Sequence, residues 1–394
     1  MMPMAQNESQ STVREMMMEF ARETGLSPAR KSPRRYLWTD AFGMCNFLGL
    51  YHQAGEEAYL NLALQLVDQV HHTLGRHRGD DSRTGWISGL DEQEGRKHPT
   101  RGGLRIGKEL SERGLRDPFV ESLEWDRDGQ YYHYLTKWMH ALSRVSRVTG
   151  DLTYNTWAME LATTAHARFV HASPSGGPKR MYWKMSINLT RPLVPSMGHH
   201  DPLDGFVTYN ELQATATKDP EKSTGRDLRA EIADMADICE GKSWATDDPL
   251  GIGGLLFDAY RVAQLIASGN LGQTGLLETL LESSLVGLKS FVREDSLKLP
   301  ADYRLAFREL GLSIGLRAVE KIQELIEQKP GPLWKKDSLQ LLLKILSRYA
   351  GLRETIETFW LERANRESDS WIAHRDINMV MLATSLAPDG FLRL

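Results

Sequence analysis

Residues 128–149 read DGQYYHYLTKWMHALSRVSRVT. Tyr131, Tyr134, Leu135, Trp138, Leu142 and Val145 recur at spacings of three and four, which lays them along one stripe of an amphipathic helix. Outward from there, residues 57–74 repeat the pattern with Leu60, Leu64, Val67 and Leu74. No convincing set of alternating strands occurs, so the chain is expected to be all-α with a few short extended pieces in its loops. The periodicity predicts twelve helices, over 10–24, 36–54, 57–74, 128–149, 153–171, 204–217, 226–240, 248–268, 273–293, 303–327, 335–363 and 371–387.

Every second helix in this series shares a feature. Each carries an acid at or near its start, often with Trp just before it: WTDAFGMCNFLGLY, EWDRDGQYYHYL, HHDPLDGFVTY, WATDDPLGIGGLLFDAY, YRLAFRELGLSIGL and WIAHRDINMVMLA. One acid from each gives Asp40, Asp128, Asp204, Asp248, Glu309 and Asp376, spaced as helical hairpins with connecting loops would space them. These helices are also richer in small residues, as in GIGG and GLSIG, which suits close helix–helix approach. The intervening helices carry more charge, as in EEAYLNLALQLVDQV. The pattern is that of an inner and an outer ring. It predicts an (α/α)6 toroid of six inner and six outer helices, one domain over 10–394, with residues 1–9 a disordered N-terminus. Every inner helix would begin on the same face, so the acids would gather at one mouth. Two long loops, 76–124 and 172–203, would cover that mouth. The stretch 217–227, TKDPEKSTGRD, reads as an ordinary flexible connection.

Composition narrows the function. Of 394 residues, 41% are hydrophobic and 25% charged, the balance of a soluble globular protein and not of collagen, a disordered chain or a membrane bundle. Lys plus Arg number 48 against 52 Asp plus Glu, a formal charge of −4, which argues against wholesale nucleic-acid binding. The two cysteines, Cys45 and Cys239, build neither a disulfide framework nor a thiolate zinc site, and read as buried free thiols in a reducing compartment. The N-terminus has no signal-peptide pattern and no window is an uninterrupted membrane span. Cytoplasm is the expected location, and the sequon at Asn188 is expected to be idle. No membrane or nucleic-acid partner is expected. Apolar faces on an outer ring would allow a homodimer.

With its helix number, length and acid-headed inner helices, the chain resembles the six-hairpin glycosidase-like superfamily over nearly its full length. That superfamily includes inverting glycoside hydrolases, unsaturated uronyl hydrolases, polysaccharide lyases and the N-acylglucosamine 2-epimerase group. The resemblance implies the toroid and a carbohydrate substrate. In the epimerase group two histidines on inner helices carry proton transfer, one mid-chain and one near the C-terminus. The resemblance thus points to His199 or His200 with His374 for such a role. TDD at 246–248 resembles the acidic motif of terpene cyclases only faintly, and their repeated QW elements are absent.

Four constellations carry the chemistry. The first is paired carboxylates. Glycoside hydrolysis needs a proton donor and, in the inverting version, a base roughly 6.5–9.5 Å away. Glu124, Asp126 and Asp128 form one acidic group, Asp201 and Asp204 a second, Asp247 and Asp248 a third. Crowding raises carboxyl pKa values, as a general acid requires. Helix caps and arginine-paired acids are the competing explanation, and Asp126-Arg127 and Arg375-Asp376 exemplify it. The second is the histidines His199, His200 and His374, as proton carriers or as structural residues. Third come the aromatics Trp38, Trp125, Trp244 and Trp371 near inner-helix starts, with Trp86, Tyr132 and Trp183 as further walls, offering faces for sugar C–H surfaces or packing beneath the loops. The fourth is the basic run Arg96, Lys97, His98, Arg101, Arg105 and Lys108, a solvated surface or a hold for an anionic group. GGLRIGK at 102–108 has the GxxxxGK spacing, but Glu109 follows and no strand precedes it, so it is no nucleotide loop. No HExxH, GxSxG, GxGxxG or Cys–His nucleophile occurs.

The expected function is therefore a carbohydrate-active enzyme without a cofactor or metal, taking a small carbohydrate or oligosaccharide. Its leading form is a glycoside hydrolase, with catalytic candidates Glu124, Asp126, Asp128, Asp204 and Asp248. Trp38, Asp40, Asp201, Asp247, Arg375 and Asp376 join the aromatics in binding substrate. The alternatives are a sugar 2-epimerase or aldose–ketose isomerase using His200 or His199 with His374, and a non-catalytic glycan-binding protein.

Overall fold

The computed structural model describes residues 2–173, 176–217, 226–272, 274–331 and 334–394, the side chains of residues 2–9 excepted. The chain is all-α. Its helices are α1 (Met2–Glu23), α2 (Leu37–Ala54), α3 (Glu57–Leu74), α4 (Glu92–Lys97), α5 (Glu121–Asp126), α6 (Tyr132–Thr149), α7 (Thr153–Phe169), α8 (Asp201–Ala216), α9 (Arg229–Cys239), α10 (Pro249–Ala267), α11 (Gly275–Arg293), α12 (Ala306–Gln328), α13 (Asp337–Leu346), α14 (Gly351–Leu361), α15 (Arg363–Arg366), α16 (Asp369–Ala373), α17 (Arg375–Leu386) and α18 (Asp389–Leu392). Among the described residues five short strands stand in loops: β1 (Gln130–Tyr131), β2 (Val170–His171), β3 (Arg180–Met181), β4 (Lys184–Met185) and β5 (Pro192–Val194). They form an antiparallel β1-β4-β5 sheet and a β2-β3 pair.

The long helices fall close to the predicted spans, and the differences have local causes. α6 starts at Tyr132 because the residues before it turn through Asp128 and pair with β4, Gln130 facing Met185. α8 starts at Asp201, with Pro202 in its first turn, where the missing N–H costs nothing. The expected helix 335–363 is broken into α13 and α14 by a 3₁₀ turn at Ser347–Tyr349. Of the stretch 1–9, residues 2–9 fall within the bounds of α1 with their side chains outside the described residues; Met1 lies outside the described residues, as does 218–225 of the expected connection 217–227.

Two compact units make up the chain: a larger one, Ala21–Gly241, and a smaller one that joins the residues up to Phe20 with Lys242–Leu394. In the larger unit the hairpins are α2–α3, α6–α7 and α8–α9, and α6 packs against both α2 and α8. α6 is buried on nearly every face from Leu135 to Ser146, which a single apolar stripe did not foretell. α2 and α6 each end on a glycine in the left-handed region, Gly55 at φ 69° and Gly150 at φ 74°, which satisfies the last carbonyls.

In the smaller unit α10 pairs with α11, and α12 packs against both α10 and α17. The glycines of GIGG and GLSIG are needed there: a Cβ on Gly253 would stand 2.1 Å from the Gly311 carbonyl oxygen, and one on Gly315 would stand 2.6 Å from the Gly253 Cα. Among the described residues α10 is the one helix long and apolar enough to cross a membrane, and 72% of it is buried against its neighbours, as a core helix is.

Candidate functional site

Most of the predicted acids are already committed to cations. In the larger unit Asp128 is fully buried; it accepts from Arg105 at 2.9 Å, Arg78 at 3.2 Å and the backbone N–H groups of Gly107 and Gly129. It ties loop 76–110 to the turn before α6. Glu124 is buried between Arg113 (2.9 Å) and Lys184 (3.0 Å). Asp40 is buried 3.3 Å from Arg35 and caps the Tyr36 N–H. Asp126 and Trp125 are exposed at the end of α5. Tyr132 is core: its hydroxyl donates to that of Tyr209 at 2.8 Å. Trp86 is also buried beneath its loop, under the Arg76 guanidinium. His199 is exposed and His200 half-buried, their rings 4.6 Å apart.

In the smaller unit Asp248 caps α10 by accepting from the Gly251 N–H and pairs with Arg308 at 2.7 Å, while Asp247 is exposed. Trp244 and Trp371 are buried, the latter stacked 5.6 Å from Trp360. His374 is exposed, its ring 5.5 Å from Phe307 and its Nδ1 3.2 Å from the Ser370 carbonyl. Arg375 pairs with Glu19, and Asp376 is half-buried at the start of α17.

The acids that stand apart are Asp201 and Asp204, one turn apart on α8. Asp204 is buried and bound to Lys137 at 2.7 Å and Thr136 at 2.5 Å, both from α6. Asp201 is buried too, but its Oδ2 has no hydrogen-bond partner among the described residues, and its Oδ1 lies 3.7 Å from His133 Nδ1. A buried polar atom left unpaired is uncommon and calls for a reason. Burial, and then the Asp204 charge, push the Asp201 carboxyl up to about 8, with Lys137 opposing. His133 moves the other way. It keeps 27% of its side chain exposed, yet its setting desolvates the ring and, with the Lys137 charge, pushes it down to about 3.

That setting is aromatic. Tyr131 stacks on His133 at 5.3 Å, Tyr134 meets it edge-on at 4.8 Å, Trp38 at 6.0 Å, and Trp183 lies near-parallel at 6.3 Å. Tyr36 and Tyr134 share a 2.6 Å hydrogen bond between hydroxyls, and Trp125 stands edge-on to Trp183 at 4.8 Å. The site is thus assembled from the starts of α2, α6 and α8 and from the loop carrying β4. Of the predicted residues it brings together Trp38, Trp125, Trp183, Asp201 and Asp204. His133 and Lys137 escaped the sequence reading, although His133, Lys137, His140 and Arg144 recur at spacings of four and three along α6. Beneath the site the same stripe continues, with His140 bonded to Glu211 at 2.9 Å.

At neutral pH the arrangement offers a neutral imidazole beside a carboxyl poised to titrate, between faces on which a sugar ring can stack. Among the described residues no group of three or more His, Cys, Asp or Glu side chains could hold a metal ion. Cys45 is buried, which pushes its thiol up to about 12.

No family model matches the sequence, and no curated protein resembles it. Among the solved structures similar in chain path are two cellobiose 2-epimerases. The cellobiose 2-epimerase of Spirochaeta thermophila DSM 6192 is 13% identical with a TM-score of 0.47, covering 95% of this chain and 97% of that one. The cellobiose 2-epimerase of Bacillus thermoamylovorans B4167 is 9% identical with a TM-score of 0.47, covering 89% and 88%. A likeness of this degree leaves the function to be argued from the residues.

Proposed function

We propose that the protein is a sugar isomerase or epimerase that moves a proton at the carbon beside an open-chain sugar carbonyl. The observation that carries this reading is the Asp201–His133 pair: a buried carboxyl with one unbonded oxygen, 3.7 Å from an imidazole walled by aromatic rings. Asp201 in its ionised form takes the C2 proton. The electron pair of that C–H bond becomes the enediolate, and neutral His133 donates a hydrogen bond to the charge that develops on the carbonyl oxygen. Asp201 then returns the proton, to C1 in an isomerisation, where the O2 hydroxyl proton passes to O1, or to C2 after the enediolate has turned. A base with a pKa near the working pH suits the task, and a neutral imidazole N–H can donate a hydrogen bond to an oxyanion. Gly198 closes over the carboxyl, since a Cβ there would stand 2.4 Å from Asp201 Oδ2. The sugar enters by displacing that loop.

This replaces the expected pairing of His200 or His199 with His374 by His133 with Asp201. It is also favoured over hydrolysis, which needs two available carboxyls, because Asp128, Glu124 and Asp204 are each held by cations. The test is proton NMR of free aldoses and disaccharides in deuterated water. Wild-type protein is expected to exchange the C2 proton without releasing a new reducing end. His133→Asn and Asp201→Asn should each slow exchange by about a hundredfold or more. Release of reducing ends without exchange would overturn the reading in favour of a glycosidase, and binding with neither would leave a glycan-binding protein.

A further inference from the structure

The basic run 96–108 holds six basic residues, and five of them are paired with a carboxylate. Arg96 pairs with Glu92 at 2.9 Å, Lys97 with Glu94 at 2.8 Å, His98 and Arg101 with Glu160 at 2.8 and 3.3 Å, and Arg105 with Asp128 at 2.9 Å. Lys108 forms no ion pair among the described residues. It is half-buried, and its Nζ lies 5.3 Å from the ring centre of Tyr36, the residue whose hydroxyl is bonded to Tyr134 beside His133. The other lysines at this wall are matched, Lys137 by Asp204 at 2.7 Å and Lys184 by Glu124 at 3.0 Å, while Asp40 is matched by Arg35. Glu109 and Asp126 are exposed, where water and salt screen them. An uncompensated ammonium therefore stands at the rim of the aromatic cage. Its N–H donors are partly desolvated by the tyrosine face and regain strong hydrogen bonds from an anion.

We propose that Lys108 is the contact for an anionic group on the substrate, so that the sugar is an acidic one bearing a carboxylate or a phosphate. The inference rests on the cage around His133 being the sugar site. Lysine acts as a point charge and takes either anion.

The test is quenching of tryptophan fluorescence, to which Trp38 and Trp183 contribute from within the cage. The probes are D-glucuronate, D-galacturonate and D-mannuronate, the corresponding hexose 6-phosphates, and the three neutral hexoses. At low salt the best acidic probe is expected to bind about tenfold tighter than its neutral counterpart. Lys108→Met, which keeps the length of the chain over Tyr36, should erase that preference, and Lys108→Arg should restore it. Preference for uronates assigns a carboxylate and preference for 6-phosphates assigns a phosphate. Acidic probes that bind no better than neutral ones, absence of binding included, overturn the assignment, as does a preference that survives Lys108→Met. Quenching needs no turnover, so an acid preference without C2 exchange would sink the reaction but keep the anion contact. Exchange on neutral sugars with no acid preference would do the reverse.

Discussion

Asp201 and Asp204 stand one turn apart on α8 in opposite states. Lys137 and Thr136 are spent on Asp204, which leaves Asp201 with burial and a neighbouring negative charge, and both disfavour its ionised form. If Asp201 is the base, only its ionised fraction works. The C2 exchange rate should then rise about tenfold per pH unit from pH 6 and level off near the carboxyl's pKa of about 8. His133, neutral at any pH well above about 3, contributes no limb in this range. Asp201→Asn should leave a residual rate that is flat over the same range. Initial exchange rates measured by NMR at half-unit steps decide the matter. A wild-type profile without the rise, or a variant that keeps it, removes Asp201 from the role.

Helices α6 and α8 meet through two matching stripes. His133, Lys137, His140 and Arg147 on α6 face Asp201, Asp204, Glu211 and Thr215 on α8, and Arg147 donates to Thr215 at 2.9 Å. In the smaller unit α10 and α12 meet instead through glycine. Gly253→Ala would drive a methyl group against the Gly311 carbonyl and is expected to cost about 1–3 kcal/mol. Gly254→Ala, whose Cβ would meet nothing within 4 Å, should stabilise by about 0.5–1 kcal/mol through helix propensity. Equal urea midpoints for the two variants would refute the close approach. These helices were legible in the sequence because apolar spacing of three and four has one physical meaning, and the small residues in GIGG and GLSIG point to close packing. The stripe of α6 was not, although its spacing is as regular. A charged helix face ordinarily faces water, and only the partner helix, some seventy residues away in the chain, turns it into an interior. The acids were misleading for the same reason. Asp128 reads as an available carboxylate until Arg78 and Arg105, far from it in the chain, close on it.

The molecule's response to pH follows from groups that burial holds in one state. His71 is buried and pushed down to about 3; its Nε2 accepts from the Trp138 indole N–H, so the ring must stay unprotonated there. His133 is likewise pushed down to about 3, and burial lowers His77 as well. Each of these takes up a proton less readily in the folded chain than in the unfolded one, so their stabilisation is complete above about pH 6.5 and is lost as pH falls below it, toward about 3 for His71 and His133. Asp201 has the opposite sign. The folded chain keeps its proton up to about pH 8, whereas the unfolded chain releases it near about pH 4, so its contribution is complete below about pH 4 and is lost as pH rises toward 8. Between about pH 4 and 6.5 His71 and His133, with His77 acting in the same direction, outweigh one carboxyl and stability climbs with pH. Above about 6.5 Asp201 leads in the larger unit, and its share lowers stability by up to about 1.4 kcal/mol per pH unit until it ionises. All four groups lie in the larger unit, while in the smaller one Glu357, raised by burial, adds a term of the Asp201 sign. Urea midpoints of the full chain should therefore peak near pH 6.5 and decline by pH 8. Asp201→Asn should clearly reduce the decline above pH 6.5 and leave the acid limb in place. An undiminished decline in that variant would mean that Asp201 is ionised in the folded protein at neutral pH, and would take with it the carboxyl on which the proposed proton transfer depends.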